Sequence, residues 1–216
     1  MAGTLQYLIF AILIPMSTLA EEPTTSHVVL VHGFMDTGSV FKSLQRQLEN
    51  NGHRCVVPNL RPRDARHGIE PLAENLRQEI ENQIPHRHSF SIIGFSMGGL
   101  VARHYLQQLD GAKRCERLIT ISSPHQGTLM AWLHPSKGAQ QMRPGSGFLK
   151  DLAATESRLG EIPVISYRTP LDLMILPSRS SEWQRATNLS FKVFLHPMMP
   201  NAKSVIADIT KRLHED

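Results

Sequence analysis

Phe90-Ser91-Ile92-Ile93-Gly94-Phe95-Ser96-Met97-Gly98-Gly99-Leu100-Val101 is the stretch whose reading decides the fold of this chain. Residues 90–93 form a short apolar run that reads as a buried strand, and from Gly99 to about Leu109 the apolar residues follow helical spacing. Between the two lies Gly-x-Ser-x-Gly. In a strand–turn–helix context this spacing places the serine on a tight, strained turn, with its hydroxyl projecting above the sheet. Gly94 and Gly98 are expected to be glycine because a side chain at either position would collide across that turn. The spacing alone arises by chance in many chains, and the flanking periodicities are what give it meaning.

Strand and helix signals alternate outward from this point. His27–Val31, Cys55–Pro58, Leu118–Ile121, Pro163–Tyr167 and Phe191–Leu195 read as further strands. Val40, Phe41, Leu44 and Leu48 keep helical spacing, as do Ile69, Leu72, Ala73, Leu76, Ile80 and Ile84, and later Val205, Ile206, Ile209 and Leu213. Pro71 suits a first helical turn, Pro85 ends that helix, and Gly111 is expected to close the helix after Ser96. The pattern predicts an α/β fold: a mostly parallel, doubly wound sheet of about six strands with helices on both faces. Right-handed crossovers then put every strand's C-terminal end on one edge, where ligands of open α/β sheets bind. His32, Ser96, Ser122, residues 168–172 and His196 all fall just past strand ends and are expected at that rim. Residues 130–151 are irregular and read as a loop region with a helix or two beside the site.

A length of 216 residues suits one domain with a substantial core, and the formal charge is +4. Loop clusters at Arg61, Arg63, Arg66 and His67, and at His86, Arg87 and His88, read first as solvated surface and otherwise as contacts for anionic or lipid surfaces. No basic stripe with interleaved aromatics points to nucleic acid. Residues 1–20 carry no charged side chain, and Leu5–Leu19 is almost wholly apolar. This reads as a secretory signal cleaved after Ala20, which implies a secreted or periplasmic protein and leaves residues 21–216 as a single domain. The alternative is a membrane anchor, for which the apolar run is short against the ~20 residues of a span. Cys55 and Cys115 begin strands that other strands should separate, so free thiols are expected.

A serine hydroxyl is a weak nucleophile near neutral pH and needs a base within hydrogen-bond reach, itself oriented by a carboxylate. Five histidines follow Ser96. His104 lies within a helix, His134 in the irregular stretch and His214 at the chain end, whereas His125 and His196 each follow a strand. The order serine, acid, histidine favours His196 over His125. Asp172 follows a strand and lies between the two, with Glu182 as its rival; Asp110, Asp151, Glu156 and Glu161 sit at a helix end or in polar stretches. Oxyanion donors are expected from the N–H of Met97, just after the serine, and from the N–H of Phe34 in the loop after the first strand. His32 reads as a brace for that loop. Phe34, Met35, Met130, Trp132, Leu133, Phe148 and Met174 are candidates for an apolar wall, with core packing as the alternative for most of them and about half expected to line it.

His32-Gly33-Phe34, Gly94-Phe95-Ser96-Met97-Gly98-Gly99 and Ser123-Pro124-His125-Gln126-Gly127-Thr128 resemble the α/β-hydrolase lipases, notably small bacterial triacylglycerol lipase-like proteins. Met142–Leu149 and Asp172–Pro177 are similar to segments of the same group. The resemblance covers roughly residues 26 to 213. It implies a serine hydrolase that cleaves carboxylic esters of lipid or acyl-chain type through an acyl-enzyme, with Ser96, Asp172 and His196 as catalytic residues. The Pro-His-x-Gly-Thr segment of such proteins lies near the site but outside the triad, which sets His125 further aside. Some relatives bind calcium; no carboxylates here have calcium-ligand spacing, so neither a metal nor another cofactor is expected. The expected partners are a small-molecule or lipid ester and, transiently, a lipid surface, with the protein a monomer. Acyl transfer, thioester or amide cleavage by the same residues is the alternative, followed by a non-catalytic binding protein on this scaffold.

Overall fold

Successive residues of a strand point to opposite faces, and in this chain both faces are apolar. In β1 (His27–Val31), Val28 and Leu30 join one buried cluster while Val29 and Val31 join another. The computed structural model describes residues 26–214, so the expected signal segment 1–20 lies outside the described residues. β1 is followed by β2 (Arg54–Val56), β3 (Phe90–Phe95), β4 (Cys115–Ile121), β5 (Val164–Arg168) and β6 (Thr187–Ser190). These form one sheet in the order β2-β1-β3-β4-β5-β6, with every neighbouring pair parallel. Helices α1 (Lys42–Asn50) and α6 (Lys203–His214) bury Leu44, Leu48, Val205 and Ile209 on one face. On the other face α2 (Glu70–Gln83), α3 (Met97–Gln108) and α5 (Gly147–Ala154) bury Leu72, Leu76, Leu100, Val101 and Leu152. A short helix, α4 (Lys137–Gln141), and a 3₁₀ turn at Leu129–Leu133 occupy the stretch expected to be irregular.

Three expectations are corrected. The last strand is not Phe191–Leu195 but Thr187–Ser190, just upstream. Register pairs Ile165 with Thr187 and Arg168 with Ser190, and one more bond, Phe191 N–H to the Arg168 carbonyl (2.9 Å), exhausts β5. With no ladder left, the apolar run serves packing instead: Phe191 meets Tyr167 at 5.4 Å between ring centroids and Val193 is buried. The true strand escaped notice because an edge strand exposes polar side chains such as Thr187, Asn188 and Ser190. The second strand stops at Val56 rather than Pro58. Gly111 does not close α3: the left-handed residue is Asp110 (φ 63), and Gly111 is small because a Cβ would come within 2.5 Å of the Tyr105 ring. Cys55 and Cys115 are free, as expected from two intervening strands, and burial pushes both thiols up to about 12.

The close approach of α3 to β1 is the feature that positions the site. A Cβ on Gly98 would stand 2.0 Å from the Val31 carbonyl oxygen and 2.6 Å from that of His32. Both obstacles are backbone, so relief requires moving the nucleophile helix off the strand. Gly98→Ala is therefore expected to destabilise by about 3 kcal/mol or more, at or beyond the upper end for overpacking. Urea denaturation checks this, with Gly147→Ala as the control, since a Cβ there meets nothing within 4 Å. Equal midpoints for the two variants would refute the steric argument.

Candidate active site

Ser96 stands between β3 and α3 with φ 52 and ψ −125, a conformation L residues rarely adopt. Gly94 faces the turn across which its missing Cβ would lie 2.6 Å from Gly99 Cα, while Gly99 lies under Ser123, whose Oγ would be 2.1 Å away. The Ser96 N–H donates to the Ile121 carbonyl (2.8 Å), which pins the turn to β4. Met97 opens α3 as its first residue, where an N–H has no intrahelical acceptor. The loop after β1 passes over the serine so closely that a Cβ on Gly33 would stand 2.9 Å from Ser96 Cβ. His32 braces this loop: its Nδ1–H donates to the Gly33 carbonyl (3.0 Å) and its Nε2 accepts from the Leu60 N–H (3.1 Å). Burial holds the His32 imidazole below its ordinary value, consistent with this neutral tautomer.

Asp172 and His196 come together from opposite sides of the last crossover. Asp172 lies beyond β5, and His196 opens a 3₁₀ turn (His196–Asn201) in which Pro197 follows it. Both side chains are buried, and His196 Nδ1 lies 2.8 Å from Oδ2 and 3.1 Å from Oδ1 of Asp172. Oδ1 also accepts from the Met174 and Ile175 N–H groups, each at 2.9 Å. Burial alone would push the Asp172 carboxyl up; the His196 ring and the two N–H groups together outweigh it and hold it below the usual value. A carboxylate is acceptor-only, so Nδ1 of His196 carries a proton, and in the neutral ring Nε2 is the nitrogen with the lone pair. Thr169, fully buried, ties the two loops: its hydroxyl donates to the Val193 carbonyl at 2.6 Å, three residues before His196.

Ser96 and His196 line one cavity of about 530 Å³, within the usual range for a small-molecule site. No direct hydrogen bond joins the serine hydroxyl to the ring; the ring packs instead on Phe95, 4.8 Å between centroids. Of the apolar residues expected as a wall, Phe34, Met35, Met130, Leu133 and Met174 line the cavity. Trp132 and Phe148 do not. Trp132 lies exposed under the Arg143 guanidinium, 4.2 Å away, and Phe148 stacks on His104 within the core. Phe95, Ala131, Ala139, Met142, Ile175 and Pro197 also line the cavity, and Ala131, Met142 and Ile175 carried no signal in the sequence beyond being apolar. His134 also lines the cavity, with Nδ1 taken up by Ser136.

The competing residues are engaged elsewhere. His125 is buried, with Nδ1 accepting from Arg103 (3.2 Å) and Nε2 against Thr120 Oγ1 (3.0 Å), and burial, with the Arg103 charge, holds it well below its ordinary value. Both ring nitrogens are thus occupied. Glu182 pairs with Arg168 at 2.8 Å, and Glu156 receives the Trp183 indole N–H.

A parallel six-stranded sheet with a strained serine on the turn after its third strand, and an acid–histidine pair on the rim beyond, defines the alpha/beta hydrolase fold. The chain belongs to that family, whose sequence model matches residues 26–194. Its solved neighbours include the mature lipase BlEst2 of Bacillus licheniformis (TM-score 0.68, 18% identity, 88% of this chain and 93% of that one). Another is lipase B of Aspergillus fumigatus (TM-score 0.77, 18% identity, 89% and 53%). In sequence the chain is 28% identical over 134 residues to lysosomal thioesterase PPT2 of Mus musculus, covering 58% of this chain and 44% of that protein. The human thioesterase of the same name is 29% identical over 118 residues, covering 50% and 39%. The chain thus spans less than half the length of the curated relatives it matches.

Proposed function

We propose that the protein is a serine hydrolase of carboxylic esters bearing an acyl chain. The observation that carries this reading is the strained Ser96 sharing one apolar-walled cavity with a histidine whose Nδ1 is tied to a buried carboxylate. His196 Nε2 takes the proton of Ser96 as Oγ attacks the ester carbonyl, and Asp172 holds the resulting imidazolium. The Met97 and Phe34 N–H groups receive the oxyanion, one from the open end of α3 and the other from the loop laid over the serine. The imidazolium then protonates the leaving alkoxide, and water, activated by the same Nε2, releases the acid and restores the serine. The hydrogen bond from Ser96 to His196 Nε2 forms when substrate fills the cavity.

Thioester cleavage is the second reading, favoured by the likeness to the lysosomal thioesterases. It uses the same acyl-enzyme with a thiol as leaving group, as acyl transfer and amide cleavage do with other acceptors or leaving groups. A fluorophosphonate probe tests the core of the reading: Ser96 is expected to be labelled in folded protein and not after unfolding. An unlabelled Ser96 would overturn it and leave a binding role. Matched ester and thioester substrates of increasing chain length, with alcohol acceptors added, then separate the acyl reactions.

A lipid-like substrate agrees with the rim. The exposed large apolar side chains among the described residues lie on four segments that also supply cavity-lining residues: Met35, then Leu129, Trp132 and Leu133, then Leu171, Leu173 and Met174, then Phe194, Leu195 and Met198. We expect these side chains to rest transiently on lipid, as large exposed apolar patches mark interaction sites. Replacing Leu173 and Phe194, which are exposed and do not line the cavity, together by Ser is expected to lower vesicle binding several-fold while leaving hydrolysis of a soluble short ester within about twofold; unchanged binding would dismiss the contact. The export expected from residues 1–20 fits the same reading, and amino-terminal sequencing of the secreted protein tests for cleavage after Ala20.

A further inference from the structure

The peptide unit joining Met174 to Ile175 lies between two side chains. Its N–H, on Ile175, donates to Asp172 Oδ1 at 2.9 Å, while its carbonyl, on Met174, accepts from the hydroxyl of Thr128 at 2.8 Å. In a trans peptide the carbonyl and N–H point in opposite directions and share one conjugated system. A donor on the oxygen therefore polarises the N–H on the far side, and bonds in such a chain strengthen one another. The sequence of contacts runs from Thr128 Oγ1–H to the Met174 carbonyl, through the peptide to Asp172, and on to His196 Nδ1.

Thr128 is itself fixed by its surroundings. It is 5% exposed, and its hydroxyl accepts from the Leu176 N–H (2.9 Å) and the Met130 N–H (3.3 Å) while donating to Met174. Its own N–H donates to the Met142 carbonyl (2.9 Å), and the Leu129 N–H donates to the Leu176 carbonyl (2.9 Å). One side chain thus joins the segment that supplies Met130, Ala131 and Met142 to the cavity wall with the loop that supplies Asp172, Met174 and Ile175. With its donor and both acceptor positions used, the hydroxyl has a single orientation.

We infer that Thr128 is a positioning residue for the acid: its hydroxyl sets the donor that holds Asp172, and through Asp172 the tautomer and aim of His196. This rests on the serine-hydrolase reading above. Val replaces the hydroxyl by a methyl of similar size, leaving the Leu176 N–H and the Met174 carbonyl without their partner, whereas Ser retains the hydroxyl.

Three measurements on the full chain test the inference. With a short ester, which barely touches the wall, Thr128→Val is expected to lower kcat ten- to a hundredfold while changing KM less than threefold; Thr128→Ser should restore kcat to within threefold of wild type. The rate of Ser96 labelling by a fluorophosphonate should fall in the same proportion. The low-field proton resonance of His196 Nδ1 should shift in Thr128→Val and return in Thr128→Ser. If Thr128→Val does not fold, Thr128→Cys carries the test, since a thiol is of similar size and a weak donor. Wild-type kcat and labelling rate in the folded Val or Cys variant, even with a lowered Tm, would overturn the inference and leave Thr128 a purely structural residue. Failure to label Ser96 in wild-type protein would instead overturn the reading beneath it.

Discussion

Replacing Ser96 by alanine is expected to lower kcat by about a millionfold, the loss typical when the nucleophile of a coupled serine–histidine pair is removed. Folding should be almost untouched. Ser96 is only partly buried, and Ala inherits the same positive φ and pays the same strain as Ser. The turn itself offers a second readout. Holding a non-glycine residue in such a conformation costs on the order of 1–3 kcal/mol, and glycine escapes much of that. Ser96→Gly should therefore be as inactive as Ser96→Ala yet unfold at a higher temperature. Ester turnover and thermal unfolding on the three proteins check both statements. Retention of more than about one part in a hundred of wild-type kcat by Ser96→Ala would remove Ser96 from the chemistry, because binding and oxyanion donors alone leave far less.

Asp172→Asn should lower kcat by roughly ten-thousandfold, for a reason the local geometry makes specific. Oδ1 of Asp172 accepts from the Met174 and Ile175 N–H groups, so the amide oxygen of Asn would be drawn to that position. Its NH₂ group would then occupy the place of Oδ2, 2.8 Å from His196 Nδ1. Facing a donor, Nδ1 must become the acceptor and the ring proton must move to Nε2, the atom required to take the serine's proton. The packing is preserved and the base is lost. Stability gives an independent check with a definite sign. The Asp172 carboxyl is held below its ordinary value of 3.8, so its contribution is fully present above that pH and is lost as pH falls through the folded-state value. Asn removes the titration, and the acid-side fall in unfolding free energy should be shallower in the variant. Wild-type activity in Asp172→Asn would show that another group orients His196.

The main features of the site could be read because the chemistry sits where local rules are strict. Gly94, Ser96 and Gly98 follow a buried apolar run and precede helical spacing, and few structures other than a strand–turn–helix satisfy all three constraints. Asp172 and His196 could be placed at the same rim because parallel strands joined by right-handed crossovers deliver all their C-terminal ends to one edge. Phe191–Leu195 misled for the converse reason. A short apolar run is compatible with a strand, but whether it becomes one depends on a neighbour with free hydrogen-bonding groups, and β5 ends at Arg168. Trp132 and Phe148 were likewise apolar in the right region, yet which way a side chain turns from a short helix depends on what covers it. Thr128 was placed near the site by the segment that resembles the lipases, but nothing in the residue order showed which backbone groups its hydroxyl binds.

The parallel α/β layering, the serine turn and the edge at which ligands meet the sheet follow from residue order alone, because backbone periodicity and glycine sterics act over a few residues. The tertiary structure alone decided that Asp172 touches His196, that His125 is consumed by Arg103 and Thr120, and that Thr128 and Asp172 share one peptide plane. Those facts depend on tenths of an ångström between segments far apart in the chain. Such distances are fixed by the close packing of the whole interior and not by any local run of residues.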